Sequence, residues 1–97
     1  MEEDRTIELD EMKTIEVKDG HSTLRIKGIK RITDVYGIYD KKKSMGYVLK
    51  NDDDNLFSID VDKGEIWTDI LTVSLSEKGM KRLLKIIDDI FGEHEAE

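Results

Sequence analysis

Apolar and polar residues alternate along most of this chain. Thr6-Ile7-Glu8-Leu9 and Thr14-Ile15-Glu16-Val17 put an apolar side chain at every second position, the spacing of strands with one buried face. Asp19-Gly20 marks a turn. Leu24 and Ile26 resume the alternation, with Arg25 and Lys27 on the other side. Gly28 interrupts it, and Ile29 and Ile32 fall out of phase, which points to a bulge or bend at the glycine. Residues 35–39 and 45–49 read as a hairpin joined by Lys41-Lys42-Lys43-Ser44, and residues 56–61 and 65–70 as a second hairpin.

The pattern then changes period. Met80, Leu83, Leu84, Ile87, Ile90 and Phe91 lie on one face of an α-helix. Ser74 or Ser76 suits its N-cap, and Ser74 with Glu77 has capping-box spacing. Gly92 suits its C-terminal end. Ile86 lies off the stripe and is a candidate contact between copies, so a monomer and a homodimer both stay open. The expected fold is α+β: one domain over residues 1–97, with an antiparallel β-meander of about six to seven short strands (about 5–75) and one C-terminal amphipathic helix (about 76–91) packed on the sheet. This element order is similar to that of pleckstrin-homology-like barrels. The resemblance implies a curled half-barrel and carries no activity with it, because a fold does not fix function.

Composition is compatible with that fold. Ninety-seven residues make one domain, and 37% apolar residues are enough for a core. Charged residues reach 40%, well above the roughly 25% of an average soluble chain. The periodic apolar segments argue against disorder. Absence of Cys excludes disulfides and thiolate chemistry. The acidic start Met1-Glu2-Glu3-Asp4 is unlike a signal peptide, and no apolar run approaches the ~20 residues that span a bilayer. The expected location is the cytoplasm.

Charge falls into blocks. Residues 1–19 carry eight acids and three bases, 20–50 eight bases and two acids, and 51–70 seven acids and one base, within a net charge of −7. Charge sorted onto separate surfaces steers partners, so the blocks bear on binding.

The run Leu56-Phe57-Ser58-Ile59-Asp60-Val61-Asp62-Lys63-Gly64-Glu65-Ile66-Trp67-Thr68 resembles the F-x-I-D-x-x-T-G-x-I-x-T hairpin of cadherin repeats. The calcium-ligand motifs of that family are absent, so the likeness implies a shared turn and no shared function. Asp60 can accept from the backbone of the turn, and Gly64 can take the positive φ that closes it.

Candidate chemistry is sparse. His21 and His94 lie at opposite ends of the chain, and Asp52-Asp53-Asp54 with Asp60, Asp62 and Glu65 lacks EF-hand spacing, so neither metal nor cofactor is expected. His21 and Ser22 are strand neighbours pointing to opposite faces, no phosphate loop or nucleophile elbow occurs, and no catalytic residue is assigned. The net charge opposes direct nucleic-acid binding.

What remains is a non-enzymatic interaction protein. A loop over residues 61–64 sets Asp60 opposite Glu65, Ile59 opposite Ile66 and Ser58 opposite Trp67. Phe57, Ile59, Ile66 and Ile70 then face the core, and Trp67 faces outward among carboxylates. Asp52, Asp53, Asp54, Asp60, Asp62, Glu65, Trp67 and Asp69 form the expected surface for a basic protein partner, as in phage- and mobile-element-encoded inhibitors that present carboxylates in place of phosphates. The alternative surface is basic: Arg25, Lys27, Lys41, Lys42 and Lys43 would receive a lipid headgroup, a peptide or a nucleic acid.

Overall fold

In a computed structural model, the chain forms β1 (Arg5–Asp19), β2 (Ser22–Tyr39), β3 (Lys42–Asn51), β4 (Leu56–Asp60), β5 (Glu65–Trp67), β6 (Thr72–Ser74) and α1 (Glu77–Glu95). The structure describes the backbone of residues 5–39 and 42–95, and the side chains of residues 5–35 and 46–94. Each strand pairs antiparallel with the next, so the sheet order is the chain order. This is the expected α+β meander. The sheet is not closed into a barrel: β1 and β6 are its two edges.

Two of the six strands are long, not short. The two segments expected near the N-terminus are a single strand of 15 residues, and β2 has 18. The β1–β2 register shifts between Glu8 and Lys13 and again between Lys13 and Ile15. Such irregularities break the alternation of side chains without ending the strand. Gly28 does the same in β2. Its φ is +67°, and a Cβ there would stand 2.7 Å from an Asp52 carboxylate oxygen. The bend lets Ile26, Ile29 and Ile32 all enter one core.

That core joins Ile7, Ile15 and Val17 of β1, the three β2 isoleucines, Tyr47 and Leu49 of β3, Ile59, Ile66, and the helix stripe Met80, Leu83, Ile87, Ile90 and Phe91. Ile86, expected off the stripe, is half-buried and packs against the same cluster, so it is not an exposed contact.

Ser76 caps α1: its hydroxyl accepts from the Gly79 N–H (3.1 Å), whereas Ser74 belongs to β6. Gly92 does not end the helix; it lies inside α1 and does not take a positive φ. Arg82 donates to the Lys18 carbonyl (2.7 Å), Lys13 pairs with Glu93 (3.4 Å), and the Arg5 guanidinium lies 4.4 Å from the Phe91 ring centroid. These contacts fix the helix along β1. No helix among the described residues is long and apolar enough to cross a membrane.

Candidate protein-interaction site

The β4–β5 hairpin has the expected register: Ser58 opposes Trp67, Ile59 opposes Ile66, and Asp60 opposes Glu65. Its turn closes as the residue types require, with the Lys63 N–H donating to Asp60 Oδ1 (3.0 Å) and Gly64 at φ +68°. Ile59 and Ile66 therefore point into the core, and Trp67 points out, 45% exposed. The Trp67 indole N–H donates to Glu65 Oε1 (3.2 Å), and the Lys63 ammonium lies 5.3 Å from the ring centroid.

Ile70 departs from expectation. Instead of joining the core with Phe57, Ile59 and Ile66, it is 89% exposed. β5 ends at Trp67, so the alternation does not reach Ile70. Thr68 closes a tight turn there: its N–H donates to the Leu71 carbonyl (2.9 Å), and its hydroxyl oxygen accepts from the Leu71 N–H (3.1 Å). Ile70 sits at the tip of that turn.

A second organised connection lies at the same end of the sheet, between β3 and β4. The buried Asn51 side-chain oxygen accepts from the Asp53 N–H (3.1 Å) and the Asn55 N–H (2.9 Å), while Asp54 adopts φ +62°. This Asx-type arrangement fixes Asp52 and Asp53 at the surface. Between the two connections and β2 runs an open groove of ≈ 380 Å³. Ile26 and Ile66 form its buried floor, Leu24, Phe57 and Val73 its half-buried walls, and Leu56 and Leu71 its exposed rim. No family model, curated protein or solved structure matches this chain. The reading of the groove therefore rests on its own geometry and charge.

The charge blocks do not survive folding as blocks. Antiparallel pairing lays acidic β1 against basic β2, so Glu16 faces Arg25 and Glu8 faces Arg31 in register. Both pairs bond, Arg25 to Glu16 at 2.7 Å and Arg31 to Glu8 at 2.5 Å. Asp54 is taken by Lys30 (2.6 Å) and Lys50 (3.6 Å); the hydrogen bond from Lys30, reinforced by the two positive charges, holds its carboxyl below the usual carboxylate range. On the alternative basic surface, Arg25 is thus occupied. Lys27 is exposed and has no ion pair among the described residues; Lys41 and the side chains of Lys42 and Lys43 lie outside them.

The acidic surface divides. Asp52, Asp53, Asp62 and Asp69 form no ion pair among the described residues, whereas Asp54, Asp60 and Glu65 are engaged within the chain. Asp52, Asp53 and Asp69 lie on the two connections at the groove end. Asp62 and Glu65 lie at or next to the opposite turn. Three features escaped the sequence reading: the exposed Leu56, Ile70 and Leu71, the ordering role of Asn51, and the stapling role of Thr68. Asn and Thr at the ends of strands were the available signal for the last two.

Proposed function

We propose that this chain is a cytoplasmic, non-enzymatic interaction module that binds and occludes a basic protein through the end of the sheet bearing Asp52, Asp53 and Asp69. The observation that carries the reading is the juxtaposition of these free carboxylates with exposed Leu56, Ile70 and Leu71, on connections held rigid by Asn51 and Thr68. Apolar side chains supply contact energy, of order 25 cal/mol per Å² buried, and the surrounding acids select a basic partner and speed its approach. Both connections are ordered before any partner arrives, which reduces the entropy lost on binding. Trp67, on the opposite face near the same end, extends the contact surface for a partner that wraps the edge.

The test is affinity capture from the source cells with the wild type and with the Asp52→Asn, Asp53→Asn, Asp69→Asn variant. The expected result is one or more basic proteins held by the wild type, released by about 0.5 M salt through screening, and absent from the variant. Equal capture by both chains, or a complex insensitive to salt, overturns the reading.

A further inference from the structure

We infer that the groove is a strand-addition site, which takes an extended segment of the partner along the free edge of β2. The inference deepens the interaction reading above by naming the partner's conformation and the backbone that receives it.

Two unpaired strand edges flank the groove. β3 joins β2 only from Ile29 onward, because Gly28 bends the strand away, so Ser22 to Lys27 have no strand on that side among the described residues, while Ser22 to Ile26 pair with β1 on the other. Across the groove, β6 pairs with β5 and, among the described residues, with no other strand. Six residues at about 3.3 Å each offer an edge of about 20 Å, and alternate residues turn their N–H and C=O groups outward along it. Open edges of this kind pair readily with another chain. Here the apolar groove supplies what a bare edge lacks: Leu24, Phe57, Leu71 and Val73 receive every second side chain of an added strand.

Charge selects the occupant. Among the described residues Arg25 is the one cation lining the groove, and Glu16 already holds it, which leaves the lining Asp69 and the neighbouring Asp52 and Asp53 without counter-ions among those residues. The added segment therefore alternates apolar side chains, facing the groove, with polar ones that include Lys or Arg. A second copy of this chain is a poor occupant, since each copy carries −7 and would bring acids to the same acidic rim.

The probe is a random octapeptide library displayed on phage, selected on the immobilised full chain and counter-selected on the Leu56→Ser, Leu71→Ser variant. Both side chains are half exposed, so the variant keeps its core, and Ile70→Ser serves as a second comparison. The enriched peptides are expected to alternate apolar with polar and basic residues and to lose at least about tenfold in affinity on the variant. They are expected to slow amide exchange at alternate residues within 22–27 by at least about tenfold. No enrichment over the variant, enrichment of acidic or helix-spaced sequences, or binding that leaves the 22–27 amides unprotected overturns strand addition. A doubled mass in solution with those amides already protected overturns it too, by placing a second copy in the groove. Salt-sensitive capture of a basic protein with the 22–27 amides unprotected removes strand addition and leaves the interaction reading standing. Edge protection by peptide with no carboxylate-dependent capture does the reverse.

Discussion

The Asp19 carboxylate accepts two hydrogen bonds from Ser76, one from its hydroxyl and one from its backbone N–H (2.9 Å). Through this pair the last residue of β1 fixes the N-cap of α1, 57 residues further along the chain. Ser76 in turn accepts from the Gly79 N–H, so strand, cap and first helical turn form one connected unit. The link ties the start of the helix, which the local sequence already marks at Ser76, to the end of the first strand.

Replacing Asp19 with Ala removes the link, and the melting temperature is expected to fall at pH 7. The Ser76 hydrogen bonds hold the Asp19 carboxyl below its ordinary range. A carboxylate with a depressed folded-state pKa contributes stability above its unfolded value, about 3.9, and loses it as pH falls through the folded value. The gap between wild type and Asp19→Ala should therefore be full above about pH 5 and narrow as pH falls below about 3.9. Thermal melts followed by circular dichroism across that range check this; a gap independent of pH would break the assignment.

Gly79→Ala tests the same unit from the helix side. Ala is the better helix former by up to about 1 kcal/mol, so propensity alone predicts stabilisation. A Cβ at Gly79, however, would stand 2.7 Å from Asp19 Cγ, and the short carboxylate is anchored by Ser76. The expected outcome is destabilisation in the wild type and stabilisation in the Asp19→Ala background. Urea titrations of the four chains of this double-mutant cycle read the change of sign.

How much of this was legible in the sequence depends on whether the signal was local. The helix stripe and the Asp60–Gly64 turn are set by residues a few positions apart, and both were readable. With the turn placed, Ile59 opposite Ile66 and Trp67 pointing outward followed. The continuity of β1 was hidden because its register shifts mimic a strand boundary. The neutralisation of Arg25 by Glu16 was hidden because charge blocks distant in sequence meet only through pairing. Nothing local marks Leu56 and Leu71 as the rim of a groove; their exposure depends on the sheet staying open between β2 and β6, which no local pattern encodes.

The cross-strand ion pairs yield a charge-exchange prediction. Glu16→Arg or Arg25→Glu alone sets like charges opposite each other on β1 and β2, at a cost of up to about 1 kcal/mol for an exposed pair. The double exchange restores attraction and is expected to recover most of the loss. Raising salt to about 0.5 M should shrink all three differences, because both side chains are half exposed. Urea denaturation at low and high salt checks this, and equal losses that add in the double exchange would show that the pair does not interact.

Tyr47 provides the last prediction. It is buried between β3 and α1, near Phe91 (ring centroids 6.2 Å apart) and Asp88. Burial raises its phenol above the ordinary range, reinforced by the neighbouring Asp88 and Asp34 and opposed by Arg5. A raised folded-state pKa means that Tyr47 contributes its stability below about pH 10, where the phenol is neutral in both states, and loses it as pH rises through the folded value. The hydroxyl's hydrogen bond to Asp88 is long, 3.5 Å, so Tyr47→Phe is expected to cost less than about 1 kcal/mol at neutral pH. The chain has three tyrosines. Absorbance titration at the phenolate band should show a late component in the wild type that Tyr47→Phe lacks, and alkaline unfolding of the variant should begin at a higher pH. If the variant instead unfolds at the same alkaline pH as the wild type, ionisation of Tyr47 is not what opens the contact between the sheet and the helix.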